Sequence, residues 1–253
     1  MSDPGIEPTP SDRAPGVLAQ GRTDVQVAVV SMSARHPEGR DAEYLEWHTL
    51  DHRPEQHRLP GLRAGLRWVS TPACRAARAA SEGDYDAVDH VVAYLFAEPV
   101  GAALDGFFAL GAALREAGRM PLRLPPVELA GWELADRGAA DGVLVGADVL
   151  PWRPMRGIYL LVERGQTAPP EDLQAVAGVA GAWSFVGSST LHPRLAGVAG
   201  VTLTMCFLDD APPAVAARLA ARLARRWERG AITPLLAAPL EAVAPFAWER
   251  ALP

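Results

Sequence analysis

The pattern of hydrophobic and polar positions predicts an alternation of strands and helices in the first part of the chain. Short runs rich in β-branched residues are followed by segments in which apolar residues recur with helical period. The order is β-α-β-β-α-β, which is that of the ferredoxin-like unit. The predicted strands span residues 24–32, 62–70, 87–96 and 127–135, and the predicted helices begin at Asp41 and Pro99.

The second part of the chain repeats this order. Segment 177–186 can be matched with 60–69 position by position, and Trp248-Glu249 with Trp132-Glu133, at separations of about 116 to 117 residues. We therefore predict a tandem duplication. The second set of predicted strands spans 156–163, 177–186, 197–208 and 243–250, and the helices span 169–176 and 213–229.

These patterns predict an α+β protein built from two tandem ferredoxin-like repeats. Each unit leaves one face of its sheet uncovered, so two units in one chain can pack sheet against sheet as an intramolecular α+β barrel, with a pocket between the sheets. The predicted parts are a disordered tail (1–22), repeat 1 (23–136), a linker (137–153) and repeat 2 (154–253). Such a chain is expected to be a monomer with an internal pseudo-dimer, or a homodimer.

Composition narrows the function classes. Of the 253 residues, 49% are hydrophobic and 21% charged, and the net charge is −6 with no basic run, so we expect no nucleic-acid partner. No apolar run reaches the ~20 residues that span a bilayer, and the acidic, Pro-rich start is not that of a signal peptide. Cys74 and Cys206 lack metal-ligand spacing. We expect a bacterial, cytoplasmic protein with both thiols reduced.

The densest group of titratable side chains lies between Glu43 and Ser70, on the helix predicted to end or kink at Pro54. This helix has no histidine-bearing counterpart in the second repeat. We therefore expect the functional site in the first repeat, with the second completing the barrel wall.

At these residues the chain resembles the dimeric α+β barrel superfamily, in particular EthD-like and antibiotic-biosynthesis monooxygenase-like proteins. These often carry the pattern W-Y-x-x-E-H-x-P-E followed by P-G. His48 stands where Tyr is common and Asp51 where Glu is common. The residues that match the pattern are Trp47, His52, Pro54, Glu55, Pro60 and Gly61. The superfamily includes cofactor-free monooxygenases, cyclases, isomerases, lyases, haem proteins and members without known activity, so the resemblance implies the fold more specifically than the reaction.

His52 is the candidate acid/base residue, because imidazole titrates near neutral pH. His48 lies one helical turn earlier, and Asp51 could orient an imidazole. The alternative is structural: the histidines satisfy local hydrogen bonds, and Asp51 belongs to a solvated helix face.

Four further residues are candidate substrate contacts: Trp47, Arg67, His90 and Tyr94. If the face of the 87–96 strand that carries His90 and Tyr94 lines the barrel, it brings polar groups into an apolar cavity. The alternative is a buried His and Tyr with local partners, and a surface role for Arg67.

The function predicted is that of a cofactor-independent enzyme, a monooxygenase, cyclase or isomerase, acting on a small hydrophobic, aromatic or polyketide-like molecule. No metal is expected, although the spacing of His48 and His52 leaves a divalent metal open. Haem binding, and a non-catalytic ligand-binding or assembly role, are the alternatives. Nucleotide-binding loops, serine-hydrolase elbows and C-x-x-C motifs are absent from the sequence.

Overall fold

The computed structural model describes residues 24–166, 170–228 and 230–253. The predicted tail lies outside the described residues. The strands are β1 (Val25–Ser33), β2 (Leu62–Val69), β3 (Ala80–Ser81), β4 (His90–Ala97), β5 (Pro126–Ala139), β6 (Gly157–Gly165), β7 (Val179–Gly187), β8 (Val201–Leu208) and β9 (Ile232–Ala242). The α-helices are α1 (Asp41–Trp47), α2 (Arg53–Gln56), α3 (Pro72–Ala76), α4 (Val100–Glu116), α5 (Glu171–Gln174) and α6 (Pro212–Glu228).

The strands form one large antiparallel sheet in the order β2-β4-β1-β5-β7-β8-β6-β9-β3. Strand β2, at one end of this order, also pairs with β9, through Trp68 with Ala242 and Val69 with Glu241. We call β1, β2, β4 and β5 the first half, and β6 to β9 the second half. In each half the second strand lies beside the third, then the first, then the fourth. The halves join through β5–β7 and β9–β2.

The last strand lies earlier in the chain than predicted. The segment 243–250 is not a strand, and Trp248 begins a short 3-10 helix, so it is not a structural counterpart of Trp132 in β5. Strand β9 carries Pro234 and Pro239, residues that cannot donate to a ladder and that hide a strand from pattern analysis. It accommodates them because its pairing with β6 shifts register near Pro234, and its other edge pairs only briefly with β2 and β3.

The concave side of the sheet is packed with apolar side chains from both halves. These include Trp68, Trp132 and Trp183, each at most 1% exposed. On β4, Val91, Ala93 and Leu95 point into this core. The opposite side of the sheet carries the helices, and it has a separate apolar cluster in each half.

Two glycines set the turns that enter β2 and β7. Gly61 has φ 87° and Gly178 has φ 92°, in the left-handed region that favours glycine. A Cβ on Gly61 would lie 2.8 Å from that of Ala103 in α4, and one on Gly178 would lie 3.0 Å from Val215 in α6. In both halves, therefore, a glycine lets the chain pass directly against the long helix.

In each half, the connection between the second and third strands along the chain crosses to the other half. The segment after β2 forms α3 and then β3, which pairs with β9. The segment after β7 returns over β5, where the Ala196 N–H donates to the Leu129 carbonyl. None of the helices in the described residues is long and apolar enough to cross a membrane.

Candidate functional site

One continuous helix over residues 41–56, the histidine helix, lies across the outer side of β2 and β4. It consists of α1, a π-helical turn (His48–His52) and α2. Of the two outcomes expected at Pro54, an end or a kink, the helix does not end there but continues to Gln56. The preceding turn is widened, with the Arg53 N–H donating to the His48 carbonyl five residues back. Single π-helical turns inside α-helices are frequent at functional sites.

The buried stripe of the histidine helix is polar. A helix that covers a sheet normally buries an apolar stripe, as α6 does with Val215, Leu219 and Leu223. Here Leu45 is the one large apolar residue buried on the helix. The polar residues buried beside it are Asp41, His48, Thr49, His52 and Gln56. Burying so many polar groups costs free energy unless they are hydrogen-bonded, which favours a functional role for this face.

His48 and His52 lie side by side under the helix, with ring centroids 5.4 Å apart. His48 Nε2 is 3.0 Å from the Tyr94 hydroxyl, and His52 Nε2 is 2.9 Å from Gln56 Nε2. Trp47 stacks on His52 at 5.0 Å. The predicted residues Trp47, His48, His52 and Tyr94 are therefore brought together.

Burial keeps both imidazoles neutral at pH 7. It lowers the pKa of His52 to about 4, with the nearby Asp51 carboxylate opposing the shift. It also lowers the pKa of His48 well below its usual range, and the Arg67 guanidinium acts in the same direction. Each neutral ring therefore carries one protonated and one unprotonated nitrogen.

Several buried polar atoms in this cluster have no hydrogen-bond partner among the described residues. Buried polar atoms in folded proteins are nearly always paired, so such a group calls for an explanation, for example a catalytic role or a bound molecule. The atoms are His48 Nδ1, Thr49 Oγ1, His52 Nδ1, Gln56 Oε1 and Arg67 Nε and Nη1.

The structure corrects the predicted location of His90 and Tyr94. They do not line the barrel interior, because their face of β4 points toward the helices, while Val91, Ala93 and Leu95 point inward. All eight residues of β4 are buried, so the strand has no polar face to reveal its orientation. The histidine cluster therefore lies between helix and sheet rather than between two sheets.

Asp51 lies near enough to His52 to act on it through its charge, but it does not hydrogen-bond an imidazole. Its carboxylate pairs with Arg119 at 3.1 Å, on the outer side of the helix, where Glu55 meets the same guanidinium at 3.0 Å. Asp41, the residue at which this helix begins as predicted, is buried. Its Oδ1 accepts from the His36 N–H and from His90 Nε2, both at 2.8 Å. Sequence reasoning missed Asp41 and Gln56 as site residues, and only the buried stripe identifies them.

Tyr94 stands at the boundary between the polar cluster and an apolar cluster beneath α4. Its ring lies 4.9 Å from that of Phe107, which also contacts Phe96. Burial raises the pKa of the Tyr94 phenol, so it keeps its proton. Leu191 and Leu195, from the segment after β7, cover the same apolar cluster. An apolar molecule bound beside Tyr94 would therefore meet polar side chains of the protein at one of its ends.

The surroundings of the histidines bear on metal and haem binding. Among the described residues, no three His, Cys, Asp or Glu side chains are grouped to hold a metal. Haem needs an axial imidazole that faces a space as wide as a porphyrin, whereas Trp47 and His48 flank His52 at 5.0 and 5.4 Å. Two cavities of about 350 Å³ lie elsewhere, and neither is lined by a histidine.

Comparison with known proteins gives likeness in structure only: no family model and no curated protein matches the chain. An anthrone oxidase-like protein is 12% identical, with a TM-score of 0.50 over 88% of this chain and 92% of that chain. A protein provisionally named a chlorite dismutase is 14% identical (TM-score 0.49, 90% and 100% covered). One provisionally named a monooxygenase, from Fusobacterium nucleatum, is 8% identical (0.47, 86% and 94%). These neighbours have the dimeric α+β barrel fold, and the likeness concerns the fold alone.

Proposed function

We propose that this protein is a cofactor-independent enzyme that moves a proton at a carbon atom next to a carbonyl group of a hydrophobic, aromatic or polyketide-like molecule. The substrate would lie on the outer side of the first half, between the histidine helix, β4 and α4. The observation that carries the proposal is a pair of adjacent, neutral, buried imidazoles, His48 and His52, whose Nδ1 atoms have no partner in the described part of the chain.

His52 is proposed as the acid/base residue. In the neutral tautomer whose Nε2 donates to the Gln56 carbonyl oxygen, Nδ1 is unprotonated and can accept a proton from the substrate. This tautomer has the Gln56 amide turned over relative to the orientation described above, which an amide side chain permits. The electron pair of the broken C–H bond passes to the carbonyl oxygen and gives an enolate. The enolate beside the new imidazolium would raise the low pKa of His52 and stabilise the pair.

His48 and Tyr94 are proposed to hold the carbonyl end of the substrate. The Tyr94 hydroxyl is 3.0 Å from His48 Nε2 and keeps its proton at neutral pH, so this pair can supply a hydrogen bond toward a developing oxyanion. Reprotonation of the enolate gives an isomerase, attack on a second carbonyl a cyclase, and reaction with O₂ a monooxygenase. The site geometry favours the shared first step.

The experiment measures deuterium exchange from D₂O into ketones with acidic C–H bonds, by NMR, with O₂ uptake recorded in parallel. Anthrone and 2-tetralone are suitable probes. We expect the protein to accelerate exchange, and His52→Gln to lose about 10²- to 10⁴-fold of that acceleration. His57→Gln is the matched control, since His57 is an exposed imidazole at the end of the same helix. Exchange that survives His52→Gln unchanged removes His52 from the proposed role.

A non-catalytic ligand-binding role is the alternative with support of its own, because unpartnered buried polar atoms also suit a binding site. It predicts saturable binding of the same ketones without exchange in the unaltered protein. For haem, the flanking rings described above predict that titration with haemin gives no shifted Soret band, and such a band would support the haem alternative instead.

We also propose that the two halves arose by tandem duplication and that the first half is EthD-like. Three observations support the duplication: the two halves have equivalent strand orders, they join at both junctions, and each has a glycine with positive φ at an equivalent position, Gly61 and Gly178. The loss of one sequence match, Trp248 with Trp132, weakens the original argument but leaves the match of 177–186 with 60–69. On this proposal the chain contains its own partner, and a mass near 26.9 kDa in solution would support a monomer.

A further inference from the structure

A buried arginine lies beside the proposed substrate position with most of its hydrogen-bond donors unused. Arg67 in β2 is 5% exposed, and its guanidinium lies over the Tyr44 ring at 4.6 Å from the centroid. Nη2 contacts His90 Nδ1 at 3.0 Å. Its Nε and Nη1 meet no acceptor among residues 24–166, 170–228 and 230–253.

The contacts of His90 fix its tautomer. A guanidinium only donates, so His90 Nδ1 must accept from Arg67, and the ring proton therefore lies on Nε2. Nε2 then donates to Asp41 Oδ1 at 2.8 Å. The neutral imidazole thus stands between the guanidinium and the carboxylate, so that Arg67 and Asp41 make no direct ion pair.

The other carboxylates near this cluster are already paired. Asp89, next to His90, is bound by Arg75 at 2.9 Å and lies 3.7 Å from Arg78. On the outer side of the helix, Asp51 and Glu55 share Arg119, as described above. None of these carboxylates bonds Arg67.

A second guanidinium adds to the positive charge. Arg53, half-buried on the histidine helix, has the Gly65 carbonyl as its acceptor at 3.4 Å. Between helix and sheet the described residues thus place two guanidiniums and one carboxylate, Asp41, while His48, His52 and His90 are neutral. Because carboxylates balance only part of this positive charge and burial makes an unbalanced charge costly, a bound anion would stabilise the arrangement.

The free donors of Arg67 form a shape that fits a carboxylate. Nη2 carries two hydrogens, and only one of them is directed at His90. The other hydrogen lies next to either the Nε hydrogen or an Nη1 hydrogen, and in both cases two parallel N–H groups remain. Such a pair is the planar fork that binds the two oxygens of a carboxylate.

We propose that the site takes an organic carboxylate, with its carboxyl group on the fork of Arg67 and its hydrophobic body toward Tyr94 and Phe107. His90 and Asp41 are positioning residues that hold the guanidinium in place. The inference rests on the proposed function for the position of the substrate, and it narrows the substrate class to hydrophobic acids or compounds that carry a carboxylate.

The test compares ligands that differ in charge and little in shape. Benzoate and 2-naphthoate are titrated by calorimetry against benzyl alcohol and 2-naphthalenemethanol. We expect the unaltered protein to bind the carboxylates at least tenfold more tightly than the alcohols, and Arg67→Met to abolish this preference. Arg67→Lys, which keeps the charge but not the fork, is expected to retain part of it. Arg63→Met is the matched control, since Arg63 lies on the same strand, exposed and paired with Asp24 at 2.7 Å.

Carboxylates that bind no better than alcohols to the unaltered protein, or a preference that persists in Arg67→Met, would overturn the inference. Arg67→Lys and a circular-dichroism melt of each variant separate lost binding from lost folding. The proposed function fails separately. If His52→Gln keeps the carboxylate preference while the unaltered protein shows no proton exchange, the anion site stands and the proposed reaction does not.

Discussion

The low pKa of His52 makes the stability of the protein depend on pH in a way that can be measured. The folded-state pKa is about 4 because of burial, against 6.5 for an unperturbed histidine. Between these values the unfolded chain binds a proton that the folded protein does not. The contribution of His52 to stability is therefore fully present above pH 6.5, and it is lost as the pH falls toward 4.

The magnitude follows from the two pKa values. The full shift corresponds to about 3 kcal/mol at 1.36 kcal/mol for each pKa unit. Between pH 7 and pH 5, where most of the unfolded-state titration takes place, the loss is about 2 kcal/mol. His48 and His90 also have lowered pKa values from burial, so they act in the same direction.

The assay is urea denaturation at pH 7, 6 and 5 for the unaltered protein and for His52→Gln. The variant cannot take up the proton, and the other histidines are common to both proteins. The difference in unfolding free energy between them should therefore change by about 2 kcal/mol in favour of His52→Gln from pH 7 to pH 5. His57→Gln should give a smaller change, because His57 is an exposed residue, although partial burial also lowers its pKa. Parallel pH curves for the unaltered protein and His52→Gln would refute the burial argument.

Three further changes test the packing around and away from the site. Tyr94→Phe leaves His48 Nε2 without its 3.0 Å partner and should cost about 1–3 kcal/mol in urea denaturation, and an unchanged midpoint would contradict that bond. Gly157→Ala should abolish soluble folding, because its Cβ would lie 2.0 Å from the Leu240 carbonyl oxygen. Its control is Gly101→Ala, which has nothing within 4 Å of its Cβ and should leave stability unchanged or raise it by up to about 1 kcal/mol. Leu219→Ala removes a fully buried side chain of α6 and should cost about 2–5 kcal/mol, and a cost below 1 kcal/mol would show that α6 packs loosely.

The sequence determined the order of most elements and the segment that carries the site. Alternation and β-branched runs identified all the long strands except β9, whose prolines broke the pattern. Helical period and the cluster of histidines located the histidine helix, because titratable side chains at i and i+4 necessarily share a face. Whether the two halves are a duplication stays a prediction.

Only the tertiary structure decided what those side chains face. In β4 every residue is buried, so period-two alternation could not tell the core side from the helix side. The condition that His90 and Tyr94 line the barrel is not met, because their face lies on the helix side. Asp51 turned toward Arg119, a residue 68 positions away. Arg67 contacts His90, which lies 23 positions later, and among the described residues it makes no direct ion pair with a carboxylate. Local sequence fixes periodicity, whereas burial and charge balance depend on which distant segments meet, and that is settled when the sheet and its helices pack together.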